Sequence, residues 1–387
     1  MKKIKLLTLI LFTFLSIMSC SKDDNQNFEE QSGTVLGKVT TINNLKPVGG
    51  ALVFVFDDKN EVQYTYTDSN GDFSLKSPVG NREIHIQTGG GSNFRTKVNV
   101  DVTHNQTIEL DQSLTKLTQV ASMAYVSGSF DNIEDIVMGI GYNIDLITYN
   151  DLNDYTLMSQ YDIIFLNCGS RPTNSINDNA VYTNLAKYVT NGGSLYASDW
   201  DVAYLTGGNR NSTGCNMPGG FIPDSTLCTT NNGSSGIISS QITSNALGNA
   251  LNFFTIDIDY DLGSWERISM YDNTFWEVLV KNPINNEALM ITTNSFHDAN
   301  LEDTPVGNSN NSGWITICHQ TLDSNNPYIT ITINQNAWPA HQAHGDTLGS
   351  CSGSTNSGRI FYTTFHNHAN ANIGNSALIL QYIILNL

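Results

Sequence analysis

The chain has 387 residues, of which 40% are hydrophobic, and this composition supports two globular domains rather than a disordered chain. Its 36 acidic residues outnumber its 18 basic residues, which gives a formal net charge of −18. So few cations cannot neutralise a run of phosphates, and this argues against nucleic acid as a partner. The same balance argues against a basic membrane-binding helix, so a membrane contact should be made through a lipid.

The first residues predict a secretory signal peptide at residues 1–19. Three lysines within the first five residues form a basic start, residues 6–18 are mostly apolar, and the small Ser19 precedes the expected cleavage point. The apolar run is too short to cross a bilayer, because a membrane-spanning helix needs about 20 apolar residues.

The cleavage region, Ile17-Met18-Ser19-Cys20, resembles the lipobox of bacterial lipoproteins. The resemblance implies cleavage before Cys20, which then carries a lipid that anchors the protein to a membrane. Residues 21–24 are similar to the signal that sends some Gram-negative lipoproteins to the cell surface. An outer-membrane, cell-surface lipoprotein is therefore implied, with residues 20–33 as a flexible polar tether. The alternative is a soluble secreted protein in which Cys20 is incidental.

Residues 34–115 contain six short β-type runs separated by Gly, Asn, Asp and Pro, and this spacing predicts an antiparallel β-sandwich. The runs are Val35–Val39, Ala51–Phe56, Val62–Tyr66, Phe73–Leu75, Ile84–Gln87 and Val98–Val102. Two stretches, Pro47–Val53 and Thr67–Phe73, resemble the carboxypeptidase regulatory-like, transthyretin-like sandwich. The resemblance covers nearly all of this segment and implies a non-catalytic spacer or adaptor.

Asp68, Asn70 and Asp72 have the spacing with which a calcium-binding loop begins. However, no glutamate closes such a loop at the required distance, and no helices flank it. The pattern therefore favours a hairpin turn.

Residues 118–387 alternate strands with helices, which predicts a layered α/β sheet with parallel strands. The predicted strands are Val120–Val126, Ile144–Thr148, Asp162–Leu166, Ser194–Ala197, Ile256–Tyr260, Trp276–Val280, Ala288–Thr292 and Arg359–Thr364. The predicted helices are one capped by Asp131 and running to Met138, Asn177–Val189, and Gly374–Leu385. Residues 206–250 are predicted to be a loop insertion, and residues 300–357 a second insertion rich in Cys and His.

This order of elements resembles the class I glutamine amidotransferase-like, flavodoxin-like fold, particularly its trehalose-utilisation-type branch. The resemblance rests on Tyr161–Leu166, Leu185–Tyr196 and Gly358–His366, and it covers most of residues 118–387. It implies a catalytic turn after the strand Ser194–Ala197. An active family member has a nucleophilic cysteine there, a glycine two residues on, and a histidine within reach as base.

The sequence departs from that pattern. Residues 197–201 read ASDWD, with no cysteine and no glycine at the expected offset. Ser198 is the nearest nucleophile by position, and His366 matches the family's histidine, but His368 replaces the acid expected two residues further on. Cys168 does not supply the nucleophile, because it follows the preceding strand. The missing cysteine favours a protein that is not an enzyme.

Two interpretations of these residues remain. In the first, Ser198, Asp199, Asp201, His366 and His368 line a polar pocket at the C-terminal strand ends, where α/β sheets bind ligands, with Ser198 and His366 as the candidate catalytic pair. In the second, Asp199 caps a helix and the two histidines belong to a hydrogen-bonded loop.

Cysteine usage fits an oxidising compartment. Cys20 is assigned to the lipid, and Cys215 and Cys228 lie in one Gly/Asn/Ser-rich loop, which predicts a disulfide between them. Cys168 is predicted to remain unpaired.

The Cys/His insertion contains a Cys318-His319 pair, a short helix suited to residues 339–345 and a closing Cys351. It resembles a small module that recurs in bacterial secreted proteins. His341 and His344 are separated by three residues and should share one helix face.

Two accounts of the insertion compete. In one, Cys318 and Cys351 form a disulfide, and the histidines lie nearby as polar or metal-facing groups. In the other, Cys318, His341, His344 and Cys351 bind zinc, with His319 or Asp346 orienting the ligands from behind. These six residues are therefore the candidates, and the extracellular setting favours the disulfide.

The first function hypothesis is a surface lipoprotein that binds a ligand, such as a surface polysaccharide, or a protein partner, without chemistry. The lipobox, the altered turn, and Trp265, Trp276 and Trp338 on loops expected to be exposed motivate it. The second is a hydrolase that uses Ser198 with His366, or the zinc site. The third is a structural scaffold in a surface complex.

Overall fold

The computed structural model describes residues 31–387 apart from residues 44, 89–92, 262, 302–312, 352–356 and 368–375. The predicted signal peptide, the lipidation site Cys20, most of the tether and His368 lie outside the described residues. Ser32–Leu387 form one compact unit. Within the described part of the chain, no helix combines the length and apolar character that crossing a membrane requires.

The amino-terminal part of this unit is a β-sandwich. Its strands are β1 Ser32–Lys38, β2 Leu52–Phe56, β3 Val62–Tyr66, β4 Asp72–Pro78, β5 Gly80–Thr88, β6 Phe94–Val102, β7 Thr107–Glu109 and β8 Thr118–Gln119. One sheet has the order β4-β1-β7 and the other the order β3-β2-β5-β6-β8. All six predicted strands are present, with ends that differ by a few residues. Pairing within the sandwich is antiparallel except for β1 and β7, which are parallel.

The turn between β3 and β4 uses its acidic side chain internally. One carboxylate oxygen of Asp68 accepts the N–H groups of Asn70 and Asp72, at 2.8 and 2.9 Å. Gly71 has a φ of +78°, a left-handed conformation that glycine adopts without strain. These contacts support the interpretation as a tight turn over that as a calcium loop.

Strand β2 is buried on both faces. Val53 and Val55 belong to the core between the two sheets, whereas Leu52 and Phe54 belong to a separate apolar cluster on the outer side. The run LVFVF has no polar alternation, which is typical of a strand covered on both sides.

The rest of the chain forms a nine-stranded sheet, two smaller sheets and their helices. The strands are β9 Met123–Val126, β10 Asp145–Ile147, β11 Ile163–Leu166, β12 Ser194–Ser198, β13 Leu227–Asn231, β14 Gly236–Ile242, β15 Thr255–Tyr260, β16 Glu266–Tyr271, β17 Glu277–Lys281, β18 Ala288–Thr293, β19 Trp314–Gln320, β20 Tyr328–Asn334, β21 Thr347–Leu348 and β22 Ile360–Thr363. The α-helices are α1 Ile133–Gly139, α2 Tyr155–Met158, α3 Asn179–Thr190, α4 Val202–Thr206, α5 Asn245–Leu251, α6 Trp338–His344 and α7 Ser376–Asn386.

Half of the large sheet is parallel and doubly wound. Its order is β10-β9-β11-β12-β22, which is 2-1-3-4-5 in chain order, as in flavodoxin-like sheets. Helices α1 and α7 contribute to the apolar core on one face, and α3 and α4 to the core on the other. The C-terminal ends of β11, β12 and β22 therefore meet at one edge, where the candidate catalytic residues lie.

The other half of the sheet is antiparallel, which corrects the prediction of parallel pairing for the later strands. The order continues β22-β18-β17-β14-β15, and each of these pairs is antiparallel. The connection between β17 and β18 spans only residues 282–287, and so short a link cannot make the crossover that parallel pairing needs. The segment predicted as a loop insertion at 206–250 contains β13 and β14.

The Cys/His insertion packs on the sandwich. Its strands form a sheet of order β20-β19-β21, and Ile317 and Ile331 join Phe54 in the outer apolar cluster. The side chain of Gln87 accepts the Thr332 N–H at 3.1 Å and donates to the Thr330 carbonyl at 3.2 Å. The second buried face of β2 is therefore covered by chain that follows it by more than 250 residues.

Candidate functional site

The turn after β12 has the geometry of a strand-to-helix elbow, but the elbow residue is Asp199. Strand β12 ends at Ser198, a 3₁₀ turn covers Asp199–Asp201, and α4 begins at Val202. Asp199 has a φ of +45°, a strained conformation for a residue other than glycine. The prediction that Ser198 occupies the nucleophile position is thus one residue out of register.

The Ser198 side chain does not make the hydrogen bond to His366 that a catalytic serine would need. Its side chain is fully buried, and its hydroxyl donates to Asp131 Oδ2 at 2.5 Å. The Ser198 hydroxyl oxygen also accepts the Cys168 N–H at 3.0 Å. A serine nucleophile needs its proton directed at its base, and here the proton is directed at Asp131 rather than His366. The Ser198–His366 pair is therefore not formed.

The Asp199 carboxyl is enclosed between neighbouring strands. Its Oδ1 accepts the Glu266 N–H at 2.6 Å, and its Oδ2 lies 3.7 Å from Cys168 Sγ and 3.8 Å from His366 Nδ1. Burial raises the pKa of Asp199 well above its ordinary value, which favours the neutral carboxyl. The alternative prediction, that Asp199 caps a helix, is also wrong, because its oxygens face β16 and Cys168.

Asp201 and Asp131 tie the loops at this edge together. Asp201 accepts the N–H groups of Gly169 and Ser170, at 3.1 and 3.3 Å, and the Ser170 hydroxyl. Asp131 accepts hydrogen bonds from the Asn367 N–H, at 3.0 Å, and from the Ser198 hydroxyl. Burial raises the pKa of each aspartate to about 7.

We call Asp131, Ser198, Asp199, Asp201 and His366 the strand-end cluster. The structure brings Ser198, Asp199, Asp201 and His366 together and adds Asp131, which was predicted only as a helix cap, whereas His368 lies outside the described residues. Asp131, Ser198, Asp199 and Asp201 are fully buried and His366 is 8% exposed. Among the described residues, a small cleft reaches the side of His366, where Asp259, Tyr260, Asp261, Trp265, Thr364 and Phe365 complete the lining. The predicted open pocket is instead a closed polar layer.

Two residues of this layer and the neighbouring Cys168 bring possible metal-ligating atoms close together. Single donor atoms of Cys168, Asp199 and His366 all lie within 4.8 Å of one another. Burial, followed by the charge of Asp199, raises the pKa of the Cys168 thiol well above its usual range. Because metals bind the thiolate, this favours a neutral thiol over a metal ligand.

The insertion contains a disulfide. Cys318 is bonded to Cys351, and Cys215 to Cys228, so both predicted disulfides are confirmed, while Cys168 is a free buried cysteine. Sulfurs in a disulfide offer no thiolate to a metal. The zinc set Cys318, His341, His344 and Cys351 is therefore not the arrangement found.

The histidines of the insertion are held by carboxylates. We call His319, His341, His344 and Asp346 the insertion cluster. Asp346 Oδ2 lies 2.7 Å from His319 Nδ1 and 2.7 Å from His341 Nδ1. His344 Nε2 lies 2.9 Å from Oε1 of Glu61, on the sandwich. Asp346 thus contacts two imidazoles, and sequence reasoning missed the contact between Glu61 and His344.

An open groove lies where the insertion meets β5 and β6, and sequence reasoning missed it. It covers about 620 Å³ of space that includes open solvent, and its lining includes His85, Arg95, Lys97, Trp314 and Thr332. The Arg95 guanidinium lies 4.5 Å and the Lys97 ammonium 5.6 Å from the centre of the Trp314 ring. Two cations and an aromatic ring therefore share one wall in a chain that is acidic overall.

The tryptophans expected on exposed loops are mostly internal. Trp265 is 4% exposed and stacks on Tyr260, and Trp276 is 2% exposed, while Trp338 is half-buried against the insertion. Trp265 and Trp276 therefore fill the core. Trp314, in contrast, lines the groove.

Comparison with known proteins gives one family match and several distant structural likenesses. One solved structure is the Bacillus anthracis TIE protein, with 10% identity and a TM-score of 0.20, covering 26% of this chain and 20% of that one. Another is a ThuA-like protein from Bacteroides uniformis, with 12% identity and a TM-score of 0.33, covering 68% of this chain and 90% of that one. A third is the mmIFT52 N-terminal domain, with 9% identity and a TM-score of 0.30, covering 48% of this chain and 86% of that one.

This chain therefore spans about a fifth of the TIE protein. No curated protein matches the sequence. The family model of the carboxypeptidase regulatory-like domain matches residues 34–115, the segment with the sandwich motifs. The chain thus contains a carboxypeptidase regulatory-like domain at residues 34–115.

Proposed function

We propose that the protein is a cell-surface lipoprotein of the outer membrane that binds an acidic surface polysaccharide without chemistry. The basic and apolar start of the chain and the lipobox-like Ile17–Cys20 support the lipid anchor. The sandwich then acts as the spacer or adaptor, and the remainder of the chain completes the binding surface.

We further propose that residues 118–387 are an amidotransferase-like domain that has lost its activity. The 2-1-3-4-5 order of the parallel strands and the left-handed Asp199 at the elbow support this assignment. The observation that carries the non-catalytic part is the buried Ser198 hydroxyl, which donates its hydrogen bond to Asp131 rather than to His366.

The groove beside Trp314 is the proposed binding site. Aromatic rings offer flat apolar surfaces to sugar rings, and Arg and Lys pair with carboxylates. Lys97 also contacts Glu83 at 3.0 Å, so an incoming carboxylate would compete with that exposed pair. A polymer of uronic acids fits both features.

The binding test is isothermal titration calorimetry of the full mature protein with polygalacturonate at low and high salt. We expect binding that weakens with salt and falls at least about tenfold in Trp314→Ala and in Lys97→Ala, since charged contacts are screened. Lys76→Ala, an exposed lysine on β4, is the matched control and should bind as the parent does. Equal binding by all four proteins would remove this site.

The lipid anchor has its own test. Intact mass spectrometry of the protein from cell membranes should find a diacylglycerol-type addition at Cys20, and Cys20→Ala should release the protein into the soluble fraction. A mature chain that retains residues 1–19 without lipid would contradict the proposal.

A hydrolase is the second candidate, and the strained backbone of Asp199 favours it. Left-handed residues between a strand and a helix often present a nucleophile, and His366 Nδ1 lies 3.8 Å from the Asp199 carboxyl. Burial counts against it, because it raises the pKa of Asp199 and so favours the neutral carboxyl, which is a poor nucleophile. Turnover of ester, amide or glycoside substrates that disappears in Asp199→Asn would establish the enzyme.

A further inference from the structure

Two buried imidazole nitrogens of the insertion cluster have no hydrogen-bond partner among the residues that the structure describes. They are His319 Nε2 and His344 Nδ1. His319 is fully buried, and an imidazole nitrogen shielded from water without a partner is costly.

The opposite nitrogen of each ring is held by a carboxylate. His319 Nδ1 lies 2.7 Å from Asp346, and His344 Nε2 lies 2.9 Å from Glu61. A carboxylate accepts a proton, so each contact places the N–H on the bound nitrogen and leaves a lone pair on the other. This is the arrangement by which carboxylates orient metal-binding histidines in proteins.

The two rings also lie close together. One donor atom from each of His319, His344 and Asp346 lies within 4.8 Å of the other two, and the two rings stack at 24° with centres 5.6 Å apart. A zinc ion lies about 2.0–2.1 Å from each ligating nitrogen, so two imidazoles at this separation are near enough to share one ion.

We propose that His319 and His344 bind a zinc ion at the junction of the insertion and the sandwich. His319 Nε2 and His344 Nδ1 are the ligands, Asp346 and Glu61 hold the two rings in the ligating tautomer from their opposite nitrogens, and water completes the coordination. The site differs from a Cys/His zinc centre because both nearby cysteines are oxidised. Imidazole ligands without sulfur suit zinc and neighbouring divalent transition metals. Because Glu61 belongs to the sandwich, the ion would link the insertion to it.

The test is calorimetric titration of ZnCl₂ into the full mature protein after treatment with EDTA, with absorption of the Co²⁺-loaded protein as the second measurement. We expect one zinc ion per chain and visible Co²⁺ bands of an imidazole-ligated site. His344→Gln and His319→Ala should each weaken zinc binding by at least about a hundredfold, and Glu61→Gln by about tenfold.

Three controls make the result decisive. His104→Ala, at an exposed histidine of the sandwich, should bind zinc as the parent does. Far-ultraviolet circular dichroism shows which variants fold, and the half-exposed His344 provides the test if His319→Ala does not. His366→Ala separates the strand-end cluster. Zinc binding that is lost in His366→Ala but kept in His344→Gln would overturn the proposal, as would no binding by the parent protein.

Discussion

The strand-end cluster and the insertion cluster use similar side chains in opposite ways. In the strand-end cluster the carboxylates of Asp131 and Asp201 accept several internal N–H and O–H groups, and burial shifts them toward the neutral form. At the insertion cluster Asp346 and Glu61 orient His319 and His344, and the other nitrogen of each of these two rings has no partner among the described residues. The comparison teaches that closeness of acids and histidines does not define a site. What matters is whether their hydrogen-bonding capacity is already spent.

Removing a central acceptor of the strand-end cluster should have the largest effect. Asp201→Ala leaves the N–H groups of Gly169 and Ser170 without their acceptor inside the protein. We expect a loss of about 3–5 kcal/mol in the free energy of unfolding, measured by urea denaturation. Asp58→Ala, at an exposed partner of Arg82, is the control and should leave the free energy of unfolding almost unchanged. A similar small loss in both variants would show that the strand-end carboxylates are not structural.

Removing the disulfide of the insertion should come next. The Cys318–Cys351 bond spans 33 residues and the Cys215–Cys228 bond 13. Chain-entropy arguments assign about 3.7 kcal/mol to the longer loop and about 2.9 kcal/mol to the shorter. The double variant Cys318→Ala with Cys351→Ala should therefore be the less stable of the two paired variants, as measured by thermal unfolding. The reverse order would mean that the insertion contributes little to global stability.

The pH dependence of stability should follow Asp131. Burial raises its pKa from 3.8 to about 7, so between these values the folded chain holds a proton that the unfolded chain has lost. Stability therefore falls as pH rises through this window and then levels off. Asp131→Asn should flatten that fall by about 2–4 kcal/mol between pH 4 and pH 8, in urea titrations at several pH values. Asp101→Asn, at an exposed site, should leave the profile unchanged; a flattening there would point to a general charge effect.

The smallest effect concerns the contact between the insertion and the sandwich. Glu61→Gln keeps an oxygen near His344 but removes the charge, and we expect a loss of about 0.5–1 kcal/mol without metal. The loss should increase when zinc is added, because the parent gains stability from the bound ion. Glu109→Gln provides an exposed control on β7. Equal responses of both variants to zinc would separate Glu61 from the insertion cluster.

Local patterns in the sequence predicted much of this molecule. The apolar run at β11 and the helix α3 are found within two residues of their predicted bounds, and the disulfides join the predicted cysteines. These features depend on period, caps and short separations, which are readable along the chain. The site was predicted less well. Whether Ser198 or Asp199 stands at the elbow depends on one φ angle, which no residue pattern specifies.

Contacts between distant segments were missed for a different reason. Glu61 meets His344, and Trp314 meets Arg95, across more than 200 residues of chain. One signal was available: the unbroken apolar run of β2 indicates that both of its faces are covered. That pattern shows that a covering segment exists, but it does not say which one.

The late cover over β2 has a consequence for synthesis. Leu52, Phe54 and Val62 emerge long before Ile317 and Ile331, the residues that shield them. Until those strands are synthesised, a nascent sandwich would expose an apolar face, and exposed apolar surfaces promote aggregation or chaperone binding. A chain stopped after residue 118 would keep that face bare. The order in which the segments are produced thus makes completion of the first domain depend on the last third of the polypeptide.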